Sequence, residues 1–207
     1  MQIIEQGHKI LTPLFHENIY GTIERAGRTA YKSEDKITYD SSTGFIRNII
    51  KRGHESVLEH SNISVRFITD RGVTHEIVRH RLCAYTQEST RYCNYAGKDM
   101  QFIKPVFWAE LALSDEFDSN WCLTMKYCEE SYNKLIEMGA SPQEARSVLP
   151  NSLKTEIVCT ANIREWRHIL KLRTAKSAHP QMRALMIPLL SELREKLPVL
   201  FEDIINE

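Results

Sequence analysis

Helical and strand periodicities alternate along this sequence and place it in a mixed α/β or α+β class, with a long helical middle and a helical C-terminus. Two stretches carry that reading. Ile63, Val65 and Phe67 alternate with polar neighbours, the period of a half-buried strand. Phe117, Trp121, Met125, Cys128, Tyr132 and Leu135 instead recur at steps of four or three, the stripe of a helix laid against a core.

The first predicted helix runs from Ser41 to Gly53, with Phe45, Ile46, Ile49 and Ile50 on one face and Gly53 as its stop. The strand that follows ends at Asp70-Arg71-Gly72. The segment Arg79 to Arg91 is expected to straddle a short helix and the loop after it. Arg79 and Arg81 are two residues apart and would not share a helix face, which suits them to two different ligands. The long helix spans about Ser114 to Met138 and closes at Gly139. Ser141-Pro142-Gln143-Glu144 then supplies an N-cap, a first-turn proline and a capping acid, so Arg146 is expected on a short helix ending near Pro150. Thr155 to Thr160 reads as a strand. Asn162 and Glu165 repeat the capping pattern for a helix on which Trp166, Ile169, Leu170 and Arg173 lie close to one face. Arg173 therefore lies beside an apolar stripe, where a charge is costly without a partner.

At 207 residues the chain is most simply one domain over 1–207, with room for a substantial core. Its 27 basic and 27 acidic residues give no net charge, which argues against a polybasic nucleic-acid or membrane binder. The balance is locally uneven: Arg164 to Arg183 holds six cations against Glu165 alone, and a basic pocket follows from that. Cys83, Cys93, Cys122, Cys128 and Cys159 form no C-x-x-C pair and are expected as reduced thiols. There is no basic and apolar leader and no stretch of membrane-spanning length, so a soluble, cytoplasmic protein is expected.

The most chemically loaded segment is Arg79-His80-Arg81 through Ser89 and Arg91, three arginines and a serine in a run too polar for a core. Arginine offers a planar fork of donors that matches phosphate oxygens and keeps its charge at any working pH. A solvated face is the plain alternative. The spacing, however, resembles the signature of the flavin-dependent thymidylate synthases, in which Arg-His-Arg is followed by seven residues, a serine, one more residue and an arginine. Asn162-Ile163-Arg164 through Leu172-Arg173 resembles that family's C-terminal helix. Weaker similarities lie at Ala26 to Tyr31, His54 to His60 and Ala145 to Pro150.

This resemblance implies a twisted, largely antiparallel sheet flanked by helices, an α+β fold, assembled as a homotetramer with shared active sites. It implies FAD as cofactor, with Ser56, Glu59, Arg79, His80, Arg81, Gln87, Asn162, Arg164 and His168 at the flavin. It implies a nucleotide site at Glu76, Arg79, Gln87, Glu88, Ser89, Thr90, Arg91 and Arg146, with Arg173 at the base as the catalytic residue. The implied reaction is reductive methylation of dUMP to dTMP, with methylenetetrahydrofolate as one-carbon donor and NADPH as the source of reduced flavin. Arginine is too weak an acid to serve as a general base, its pKa exceeding about 12, so Arg173 is expected to stabilise charge developing on the uracil ring. Three positions depart from the common family pattern: Ala84 stands where serine is frequent, Gln87 where glutamate is, and His168 where asparagine is.

The glycines form no G-x-G, which removes a Rossmann flavin site. His54 and His60 are six residues apart, and the position four after His54 is Leu58, so no zinc pair is expected, and no metal elsewhere. Small-molecule partners are expected, with neither nucleic acid nor membrane. Two other readings stay open: a relative acting on another deoxypyrimidine nucleotide, and a catalytically silent flavin- or nucleotide-binding protein.

Overall fold

In chain order the elements are β1 (Gln2–Ile4), β2 (Gly7–Ile10), α1 (His16–Thr29), α2 (Ser41–Lys51), β3 (Asn62–Asp70), α3 (Arg71–Ile77), β4 (Ala84–Gln87), β5 (Gln101–Ile103), α4 (Ser114–Glu137), α5 (Pro142–Ala145), β6 (Lys154–Asn162), α6 (Ile163–Thr174), α7 (Pro180–Lys196) and α8 (Pro198–Phe201). The computed structural model describes residues 1–108, 111 and 113–205. The fold is α+β: a four-stranded antiparallel sheet in the order β2-β3-β6-β4, with helices, and a parallel pair formed by β1 and β5.

The chain divides into two compact units, one of residues 1–8, 66–79 and 85–158, the other of 9–65, 80–84 and 159–207. Strands β3 and β6 contribute residues to both. Buried and half-buried positions alternate from Ile63 onward in β3 and throughout β6, so Ile63, Val65, Phe67 and Thr69 of β3 point to one face. The first unit builds its core from Met100, Phe102, Trp121, Met125, Tyr132, Ala145 and Leu153, with α4 as the main apolar wall. In the second unit the core is helical, with Ile23 of α1, Ile46 of α2, Trp166 and Leu170 of α6, and Leu189 of α7 fully buried.

The predicted helices and strands are present, with differences that have physical causes. Only Trp121, Met125 and Tyr132 of the predicted α4 stripe are buried; Phe117 is 45% exposed and stacks on Trp108 at 5.9 Å. A 24-residue helix outruns the core it covers, and its first turn lies beyond it. The Arg79 to Arg91 segment does not occupy a helix: α3 ends at Ile77, and a turn leads into β4, a strand too short and too polar to show periodicity. Gly53 and Gly139 follow their helices at φ of 69° and 96°, the left-handed conformation that stops a helix at little cost for glycine.

Candidate active site

In the second unit the site grows from the junction of β6 and α6. Asn162 keeps extended backbone angles while its side chain accepts from the Glu165 amide at 2.9 Å, so strand turns into helix at one residue. That cap sets the rotation of α6. Arg164 and His168 face outward, whereas Glu165 and Arg167 turn inward and are buried. Arg167 is committed to structure: its guanidinium grips both oxygens of Asp203 at 2.7 Å and donates to the Leu200 carbonyl. The same contact holds the Asp203 carboxyl below its usual range.

A cleft of about 670 Å³ opens over this helix, lined by Glu55, Glu59, Leu82, Asn162, Arg164, His168 and Lys171 together with the edges of Glu165 and Arg167. Arg164 donates to Glu59 at 2.6 Å. Four residues of the expected flavin set, Glu59, Asn162, Arg164 and His168, thus share one cleft. Ser56 lies in a different one, with Arg28, Arg52 and His54. Arg81 is exposed in the turn before β4.

Arg173 finds the partner that its position beside the apolar stripe demands. Its Nε donates to Nε2 of His80 at 2.9 Å. A nitrogen that accepts carries no proton, so His80 is in its Nδ1–H form, and Nδ1 lies 3.7 Å from a carboxylate oxygen of Glu165. His80 is 6% exposed, and burial, then the nearby charge of Arg173 and then His168, lower its pKa to about 4. The ring is neutral at pH 7. His168 meets it edge to face, with centroids 5.8 Å apart.

His80, Glu165 and His168 also bring potential ligand atoms within 4.8 Å of one another, a grouping hidden from spacing rules because His80 is 85 residues from its nearest companion. The guanidinium of Arg173 works against a cation there. Ligation through Nδ1 would place the remaining imidazole proton on Nε2, facing the Arg173 donor.

The first unit holds the expected nucleotide set. Asp70 caps α3 by accepting from the Val73 amide at 2.7 Å, and Glu76 and Arg79 follow on and just after that helix. Gln87, at the end of β4, donates to the hydroxyls of Thr74 and Thr155 at 3.0 and 3.2 Å. Glu88 accepts from the Tyr95 hydroxyl at 2.8 Å and from Lys154 at 3.1 Å, and Lys154 also reaches Glu156. Residues 89–93 form a tight turn in which Ser89 Oγ accepts from the Arg91 amide at 3.3 Å. Arg146 reaches Thr90 at 3.4 Å. Arg79 and Arg91 are exposed and form no ion pair among the described residues, the state of cations available to an anion.

Sequence reasoning missed Lys154, Thr155 and Tyr95, which hold Gln87 and Glu88. These partners meet only through the pairing of β4 with β6 and the turn after it, and no local pattern announces them. It also missed Glu55 and Lys171 in the cleft, although Lys171 had a signal in the cationic run from Arg164 to Arg183.

Residues 15–199 match the family model described as "Thymidylate synthase complementing protein". The chain is 34% identical over 203 residues to the flavin-dependent thymidylate synthase of Mycobacterium tuberculosis, covering 87% of this chain and 78% of that protein. It belongs to the flavin-dependent thymidylate synthase family. As a flavin-dependent thymidylate synthase it is an enzyme. The family member from Geobacter sulfurreducens is 30% identical over 185 residues, covering 86% of this chain and 78% of that one. The fold is similar to that of the UMP/dUMP methylase PolB from Streptomyces cacaoi bound with 5-Br dUMP, at a TM-score of 0.80 and 21% identity, covering 98% and 96% of the two chains. Among the described residues, no helix is long and apolar enough to cross a membrane.

Proposed function

We propose that the chain, acting as one domain over 1–207 within a homotetramer in the cytoplasm, converts dUMP to dTMP by flavin-dependent reductive methylation. Methylenetetrahydrofolate would supply the carbon and NADPH the reducing equivalents. The observation that supports this most is Arg173, a fixed cation at the end of α6 whose Nε is held by a buried, neutral imidazole.

The residues present suit FAD. The cleft over α6 offers Arg164 and Lys171 for phosphate and the Glu59 carboxylate and Asn162 amide for ribose hydroxyls, without a glycine-rich loop. The Arg164–Glu59 pair is half exposed, so a bound phosphate can share the guanidinium rather than having to break a buried pair. The chemistry that a bound flavin supplies is hydride transfer. The protein's part is to bind and orient. Arg79, Arg91 and Arg146 grip the nucleotide phosphate; Glu76, Ser89 and Thr90 offer hydrogen bonds to it and its sugar; Gln87 and Glu88 arrive pre-positioned by Thr74, Thr155, Lys154 and Tyr95. Arg173 places positive charge where electron density develops at the uracil N3 and O4 edge, which directs it toward C5.

The test is tritium release from C5-labelled dUMP by FAD-reconstituted protein, with NADPH and methylenetetrahydrofolate under low oxygen. Release that needs every component, with dTMP formed, supports the reading. Absence of release despite bound FAD overturns it. Parallel assays with dCMP and UMP then report whether another base or sugar is the substrate.

A further inference from the structure

Arg173, His80 and Glu165 form a chain that the capping geometry of α6 alone does not require. Glu165 and Arg173 lie two turns apart on one helix, and helical side chains lean toward the N-terminus, so Arg173 reaches back toward Glu165. The imidazole of His80, delivered by the turn before β4, fills the space between them. One ring nitrogen accepts from Arg173 at 2.9 Å, and the other lies 3.7 Å from Glu165 Oε1. Glu165 and His80 are both buried, at 8% and 6% exposure.

We propose that Glu165 is a positioning residue for Arg173, acting through His80: at 3.7 Å the negative charge of its carboxylate, rather than a hydrogen bond, favours the Nδ1–H form of the ring, which leaves Nε2 to accept from Arg173 and fix the plane of the guanidinium. This rests on the reading of Arg173 as the cation at the pyrimidine. The logic is that of a buried acid holding a histidine in one tautomer, so that the far nitrogen presents the required lone pair. In the opposite tautomer Nε2 carries a proton, which faces the Arg173 donor, and the guanidinium loses its anchor. The plain alternative is that Glu165 serves only as a first-turn acid, favourable to the helix dipole. That role is indifferent to the tautomer of His80. Glu165, His168 and Arg173, which face the ring, come from α6, and substitution at Glu165 leaves the other two in place.

The experiment compares wild type, Glu165→Ala and Glu165→Gln, each labelled with 15N-histidine and reconstituted with FAD. The His80 resonances are assigned by their loss in His80→Gln. Wild type should show protonated Nδ1 and unprotonated Nε2. Glu165→Ala should shift the ring toward the other tautomer and lower kcat for dTMP formation by roughly 10- to 100-fold, with a smaller change in KM for dUMP. Glu165→Gln keeps an acceptor oxygen without the charge, and should retain part of the tautomer preference and lose less kcat than Glu165→Ala. An unchanged His80 tautomer in Glu165→Ala overturns the proposal, as does an equal loss of kcat in the two variants. If wild type forms no dTMP, the functional reading fails, while the tautomer comparison still decides whether Glu165 sets the ring.

Discussion

Arg173 takes one hydrogen-bond partner from 93 residues away, and that contact fixes how its Nε is held. A guanidinium beside an apolar stripe is costly without a partner. A neutral imidazole holds Nε without cancelling its charge. Arg173→Ala should therefore keep the flavin absorbance spectrum and lose turnover by about a hundredfold to a thousandfold. Near-normal turnover would remove Arg173 from its role. Arg79 and Arg91, exposed and without ion pairs among the described residues, are expected to contribute to phosphate binding instead. Either arginine changed to alanine should weaken dUMP binding by about tenfold, the scale of one hydrogen bond to a charged group, as read by calorimetry. Unaltered affinity in both single variants would contradict the phosphate assignment.

At the scale of elements, the close approach of α1 and α2 depends on a missing side chain. A Cβ at Gly27 would lie 2.5 Å from the Phe45 ring and 3.0 Å from Val57, and that ring is itself covered by the Arg28 guanidinium at 4.8 Å. Alanine in place of glycine within a helix gains about 0.5–1 kcal/mol from propensity, whereas forcing atoms into a packed contact costs about 1–3 kcal/mol. The clash should win, and Gly27→Ala should lower the urea midpoint at unchanged slope; a raised midpoint would show that Phe45 moves aside freely. Elements whose information is local were legible in advance. The Asn162 cap, the Ser141 capping box and the Gly139 stop each lie within a few residues of what they control. Strand β4 and the parallel pair of β1 with β5 were not legible, because four- and three-residue strands have no period to read and exist only through their partners. The candidate site divides in the same way. Motif spacing pointed to Arg79, Ser89, Arg164 and Arg173, while Lys154, Tyr95 and the Glu165–His80 contact depend on chain segments brought together by folding.

For the molecule as a whole, the perturbed groups predict how stability changes on acidification. Asp203 is held low by Arg167, Asp118 by Lys104 and then Trp108, and Glu144 by the Ser141 hydroxyl and amide. Each carboxylate with a lowered folded pKa contributes stability above its unfolded value, near 4, and loses it as pH falls through the folded one. His80 acts earlier. Its pKa is lowered from 6.5 to about 4 by burial first, so its contribution is complete above pH 6.5 and is lost progressively as pH falls toward 4, where the folded ring finally takes a proton. That loss amounts to about 3 kcal/mol if the ring stays dry. The two effects have the same sign and occupy successive windows. Wild type should therefore lose stability steadily from about pH 6.5 downward, with a steeper fall below about pH 4. His80→Gln keeps an acceptor for Arg173 but cannot titrate, so its stability in urea should be nearly flat between those limits and should join the wild-type decline only below them. Parallel pH profiles for the two proteins across that interval would show that His80 is not the buried base that resists protonation.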